Sequence, residues 1–162
     1  MPTIYLAGPS VFAPDSARIG RELLGLCELH GLRGIYPTDD IPPGATDPKA
    51  IYRACTDAIG RSDGVIADIA PFRGFHMDPG TAFEIGYAVA RSKPVWLYGS
   101  PQAMIARVWA EKTAAGWRDA KGMLVEDFGF PENLMVTVPA AGIFDLAEQA
   151  IIAAAKALKA AP

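Results

Sequence analysis

The chain has 162 residues, 51% of them hydrophobic and 20% charged, with a formal net charge of −3. That length and mixture describe one soluble globular domain with a core of its own, and no second domain is required. Negative charge without any Lys/Arg block excludes a nucleic-acid polymer as the natural partner, because phosphate binding demands a basic surface, and points to a small neutral ligand.

Taken in order, strand-like and helix-like segments alternate. Thr3 to Ala7 is a short apolar run closed by Gly8-Pro9, the pattern of a buried parallel strand ending in a loop. Pro14-Asp15 and Ser16 open a helix in which Ile19, Leu23, Leu24 and Cys27 recur at helical spacing up to His30-Gly31. Leu32 to Tyr36 reads as the second strand, and Pro37 to Thr46 as a long Pro- and Gly-containing loop of the kind that often carries function. Asp47-Pro48 starts a helix through Ile51, Cys55 and Ile59 to Arg61, and Gly64 to Ile69 is the third strand. The loop Pro71-Phe72-Arg73-Gly74 leads to a helix that starts at Asp78 and ends near Arg91-Ser92, followed by a fourth strand, Pro94 to Tyr98. Pro101 to Ala115 reads as a helix with Met104, Ile105, Val108 and Trp109 inward, and Gly116 to Phe130 carries mixed signals. A short strand at Met135 to Val138 and an alanine-rich helix from Ile143 to Lys159 complete the chain. Such alternation implies right-handed βαβ units and a parallel sheet covered on both faces, with ligands beyond the carboxyl ends of the strands.

Two cysteines, Cys27 and Cys55, are too few for a disulfide scaffold, and a reduced cytoplasmic setting is expected. With only His30 and His76 besides them, no metal site is expected. The start of the chain lacks the basic and long apolar pattern of a signal peptide, and no run reaches the roughly 18 apolar residues of a membrane span.

The stretch Asp78-Pro79-Gly80-Thr81-Ala82-Phe83-Glu84-Ile85-Gly86-Tyr87-Ala88 holds the chemistry. Asp78 suits a helix start, where its oxygen caps free N–H groups. Glu84 has apolar neighbours, so its carboxylate is expected beside the core, poorly hydrated and therefore more nucleophilic, with a shifted pKa. The plain alternative is a cap and a surface glutamate. There is no G-x-x-x-x-G-K phosphate loop and no G-x-G-x-x-G after the first strand, and Pro9 removes a donor that a phosphate cradle would use. Gly8-Pro9-Ser10 is not the G-x-S-x-G elbow of a serine hydrolase. A carboxylate nucleophile with a second acid nearby suits glycosyl transfer through an oxocarbenium-like transition state.

Tyr5-Leu6-Ala7-Gly8-Pro9 with Val11-Phe12, Pro37-Thr38-Asp39, Ala67-Asp68-Ile69-Ala70-Pro71-Phe72-Arg73-Gly74, Asp78 to Gly86, and Glu132-Asn133-Leu134-Met135 together resemble the nucleoside 2-deoxyribosyltransferase family. The resemblance spans nearly the whole chain in motif order, and is to the branch with a PFRG loop and a GFG-type stretch, here Phe128-Gly129-Phe130. It implies a single flavodoxin-like (Rossmann-like) α/β domain over residues 1–162, a five-stranded mostly parallel sheet with helices on both faces. It also implies exchange of the base on 2'-deoxynucleosides, with free purine or pyrimidine bases as co-substrates, by a retaining double displacement without cofactor. Glu84 matches the nucleophile, Tyr5 the tyrosine that orients it, and Asp78 the aspartate that binds the sugar hydroxyls. Asp39 matches an acid near the base and is the expected proton donor. Gly8, Phe12, Phe72, Arg73 and Gly80 are expected to line the site or contact the base. Asn133 and Met135 match a segment that completes a neighbouring subunit's site, so a homo-oligomer, dimer or hexamer, is implied.

One position departs from the family pattern: Cys55 stands where a polar Asn or Asp near the base is usual, and a thiol is a poor hydrogen-bond partner. Taken alone, Tyr5 is equally well a core residue, Phe12 and Phe72 packing residues, Asp68 a turn cap, Cys27 a buried thiol, and Trp96, Trp109 and Trp117 core or interface. Two other functions stay open: a nucleoside or 5'-nucleotide N-glycosidase of the same superfamily, and a non-catalytic nucleoside-binding domain. The apolar, arginine-free loop after the first strand favours an uncharged 5'-OH.

Overall fold

β-branched and aromatic residues fill the short apolar runs, and these form a five-stranded sheet in the computed structural model, which describes residues 1–39, 41, 44, 46–99 and 102–160. Its strands are β1 (Thr3–Ala7), β2 (Arg33–Ile35), β3 (Gly64–Asp68), β4 (Val95–Tyr98) and β7 (Gly142–Phe144). All four pairings are parallel and the order is β2-β1-β3-β4-β7. The winding direction therefore reverses between β1 and β3, and in such sheets a crevice opens above the carboxyl ends of the strands at that point.

Residues alternate between two cores. Tyr5, Ala7, Val65, Ala67, Val95 and Leu97 pack on the face covered by α2 (Pro48–Arg61) and α3 (Pro79–Ala90), with Ile59 and Ile85. Ile4, Leu6, Ile66 and Trp96 pack on the opposite face beneath α1 (Ser16–Leu29) and α6 (Ala147–Ala160), with Cys27, Ala150, Ile151 and Ala154. Burial on both faces is why the strands read as continuous apolar runs. Each fully buried Ile, Leu or Val contributes roughly 1.5–3 kcal/mol. The helices over the first face begin alike. Asp47 accepts from the Lys49 N–H at 3.0 Å and Asp78 from the Thr81 N–H at 2.8 Å, each followed by proline at the first helical position.

Three expectations fail in the second half of the chain. The helix expected over 101–115 is reduced to α4 (Met104–Arg107), and an antiparallel hairpin follows, β5 (Glu111–Thr113) with β6 (Gly116–Arg118). Trp109 takes a left-handed backbone (φ 49°), which ends the helix. The Thr113 hydroxyl then binds both the Gly116 carbonyl and the Ala115 N–H, stabilising the turn. The strand expected at 135–138 is instead α5 (Leu134–Thr137), because the Asn133 carboxamide caps it by accepting from the Met135 N–H at 2.9 Å. The last helix starts at Ala147 rather than Ile143, since Gly142–Phe144 pairs with Trp96–Tyr98 as the fifth strand. Asp40, Pro42, Pro43 and Ala45 of the second loop, and Pro101, the expected helix start, lie outside the described residues.

Candidate active site

β1 and α3 bring two expected site residues together. Tyr5 points to the α2/α3 face of the sheet and is fully buried. Its hydroxyl donates to Glu84 Oε1 at 2.6 Å. Removal from water pushes the Glu84 carboxyl up to about 7 from its ordinary 4.5; the Tyr5 hydrogen bond opposes that rise and the Asp78 charge adds to it. The Tyr5 phenol is itself held far above its ordinary range, first by burial and then by the neighbouring Glu84 charge, so it stays a donor.

Asp78 is buried at the α3 start, where its Oδ2 accepts from the Thr81 N–H at 2.8 Å and the Thr81 hydroxyl at 3.0 Å. Asp78 and Glu84 line one cavity of about 450 Å³, a size suited to a small organic ligand. Gly8, Gly80 and Thr81 complete its polar end; Val11, Phe12, Pro37, Thr38, Ile41, Ile51 and Cys55 form the rest. No Lys, Arg or His is among these described lining residues. Two glycines are required by close approach. A Cβ on Gly8 would stand 2.9 Å from Asp68 Cβ, where the ends of β1 and β3 meet, and one on Gly80 would stand 3.0 Å from Asp78 Oδ2. Asp68 itself caps the turn after β3, accepting from the Ala70 N–H at 2.9 Å.

Phe72 and Arg73 act one layer out. Phe72 stacks on Phe12 with ring centroids 5.5 Å apart, and the Arg73 guanidinium lies 4.6 Å from the Phe72 centroid and 5.4 Å from that of Phe12. The left-handed backbone of Arg73 (φ 52°) turns the PFRG loop back so that this stack can form over the cavity wall.

Three expected residues are not brought to Glu84. Asp39 Oδ2 accepts from the Tyr36 N–H at 2.9 Å and closes the turn after β2. It lines a separate recess with Thr3, Arg33 and Arg61 and is not among the described residues lining the cavity that holds Glu84. Asn133 caps α5 and donates to Glu126 Oε1 at 2.6 Å, while the Met135 side chain stands exposed to solvent; neither lines the cavity of its own chain. Cys55 does face the cavity. Trp109, expected to face inward, is largely exposed, whereas Trp96 is buried. Thr81, Ile41 and Ile51 are site residues that sequence reasoning missed. Only Thr81 carried a signal, standing three residues after a capping aspartate.

Among the described residues no group of three or more His, Cys, Asp and Glu side chains is disposed to hold a metal ion. A partly buried, oriented carboxylate with a second carboxylate in the same small-molecule cavity suits substitution at an electrophilic carbon. The profile described as nucleoside 2-deoxyribosyltransferase matches residues 4–135. The chain belongs to the nucleoside 2-deoxyribosyltransferase family. The solved structure of a 2-deoxyribosyltransferase from Leishmania mexicana superposes with a TM-score of 0.82 at 34% identity, covering 96% of this chain and 98% of that one. An uncharacterised protein of Schizosaccharomyces pombe is 32% identical over 83% of this chain and 75% of its own length. A CMP N-glycosidase from Clostridium botulinum, 20% identical over 97% of this chain and 98% of that one, shares the fold with a TM-score of 0.52. Membership of the deoxyribosyltransferase family carries a coarse chemistry, the processing of nucleosides and free bases at the glycosidic bond. The parallel α/β sheet is the one that family has.

Proposed function

We propose that this chain, as one domain, transfers 2-deoxyribose between bases through a covalent intermediate on Glu84. The observation that carries the reading is the 2.6 Å Tyr5–Glu84 hydrogen bond inside a cavity that also holds Asp78. An ionised Glu84 oxygen attacks C1' on the face opposite the base, and the C1'–N bond breaks with its electrons leaving on the base nitrogen. A ring nitrogen of a second base then attacks C1' from the face the first base left. The carboxylate is released, the incoming nitrogen gives up its proton while the departed base takes one up, and the configuration at C1' is retained. Tyr5 fixes which oxygen attacks. Thr81 holds Asp78 Oδ2, and the other carboxylate oxygen accepts from the sugar 5'-hydroxyl. Phe12, steadied by Phe72 and Arg73, walls the base.

Two carboxylates and no cation among the described lining residues favour a 5'-hydroxyl over a 5'-phosphate, which supports a nucleoside rather than a nucleotide substrate. The exposed Met135, beside Asn133 at the α5 start, is the residue we assign to a neighbouring subunit's site in a homo-oligomer; a monomer with full activity at all dilutions contradicts that assignment. Among the described residues no helix is long and apolar enough to cross a membrane.

The deciding experiment is incubation with 2'-deoxyinosine, with and without adenine, followed by chromatography of bases and nucleosides. Transfer gives 2'-deoxyadenosine and hypoxanthine only when adenine is present. Hypoxanthine and free deoxyribose regardless of adenine mean hydrolysis, and no reaction with purine or pyrimidine donors leaves a binding domain.

A further inference from the structure

Glu132 is buried, with 3% of its surface exposed, and lies far in sequence from the groups it binds. Its Oε1 accepts from the Met77 N–H at 2.9 Å and from Arg107 Nη2 at 2.6 Å. Its Oε2 lies 3.2 Å from His76 Nδ1. Arg107, buried at the end of α4, also donates to the Pro131 carbonyl. One carboxylate thus ties α4 and the segment before α5 to the last residue before Asp78. Met77 is itself a core residue, and its N–H lies in a buried setting where the Glu132 oxygen satisfies it.

The consequence reaches the site through the backbone. Asp78 has β-region dihedrals (φ −61°, ψ 129°) and turns the chain from the 76–77 segment into α3. Thr81 holds its carboxylate from the helix side. On the other side, the Met77 peptide is held by Glu132, so the two anchors together fix where the Asp78 carboxylate enters the cavity. A buried charge pair confers little net stability over apolar residues of similar volume, which makes a geometric role the better account of its presence. The same carboxylate lies directly before Asn133, whose N–H is 3.4 Å from Oε2, so the segment bearing Asn133 and Met135 shares the anchor.

We propose that Glu132, held by Arg107, is a positioning residue for sugar binding, acting on Asp78 through the Met77 backbone; this rests on Asp78 being the sugar ligand. Removing the pair while keeping an acceptor for the Met77 N–H should leave recognition intact, and removing the acceptor should not.

The test compares two double variants in the full chain, Arg107→Met with Glu132→Gln and Arg107→Met with Glu132→Leu, neither of which buries an unpaired charge. With folding verified by circular dichroism and thermal melting, the Gln form should keep KM for 2'-deoxyinosine within about threefold of wild type. The Leu form should raise KM about tenfold or more, with kcat within about threefold. A folded Leu form with wild-type KM overturns the proposal, as does a loss of kcat in both forms that merely follows the folded fraction. Should the Leu form not fold, Glu132→Asp keeps the charge for Arg107 while withdrawing the acceptor from Met77, and the same KM increase is required of it. Calorimetric titration of 2'-deoxyinosine into these variants on a Glu84→Gln background reads the same weakening without turnover. An inactive wild-type enzyme therefore contradicts deoxyribosyl transfer, whereas equal nucleoside affinity across the variants contradicts the positioning role.

Discussion

Glu84 owes its chemistry to two opposing neighbours. Burial and the Asp78 charge raise its pKa, and the Tyr5 hydroxyl lowers it, leaving a value of about 7. In the proposed mechanism the Glu84 carboxylate is the attacking form, so kcat/KM should rise with pH and reach half its plateau near 7. Tyr5→Phe removes the interaction that favours the charged form, so this limb should move to higher pH; a limb that stays in place shows that Tyr5 does not tune Glu84. Tyr5 taken alone reads equally well as a core residue, whereas the setting of Glu84 was legible as an acid among apolar helical neighbours. Asp39 was not, because a loop aspartate that serves a ligand and one that captures a backbone N–H two or three residues back have the same sequence signature.

The two helices announced by an Asp-Pro pair were read correctly. Asp47-Pro48 and Asp78-Pro79 each join a side-chain acceptor to a preset φ, and α2 and α3 begin there. The short α5 was misread as a strand because Val136, Thr137 and Val138 are β-branched, and the cap at Asn133 outweighs that preference. Asn133→Ala should therefore cost about 1 kcal/mol in urea unfolding, more if the bond to Glu126 is also lost; an unchanged midpoint contradicts the capping role. The hairpin after α4 escaped a periodicity argument for a different reason. Its start depends on a left-handed Trp109 and its turn on the Thr113 hydroxyl, and neither leaves an apolar repeat. The fifth strand, three residues long, is recognisable only by its pairing with β4.

At the scale of the molecule, the alternation of strands and helices made the parallel sheet legible, and the switch point between β1 and β3 places the cavity where Gly8 and the α3 start converge. The partly buried Glu84 carboxylate there bears on the stability of the whole fold. Its native pKa lies above the ordinary 4.5, so the native state holds the proton more tightly than the unfolded chain. The stabilisation is full below about pH 4.5 and is lost as pH rises through about 7, a change of up to roughly 3 kcal/mol. Glu84→Gln abolishes that loss. Its melting temperature should match wild type at pH 4 and exceed it at pH 8, and equal melting at both pH values contradicts the burial argument.

The most direct test of the central claim is mass spectrometry of the protein quenched in acid after incubation with 2'-deoxyinosine alone. The account predicts a mass increase equal to one 2-deoxyribosyl group, located by proteolysis to the peptide containing Glu84 and absent from Glu84→Gln. Unmodified Glu84 under conditions where base exchange proceeds, or an adduct on another residue, contradicts it.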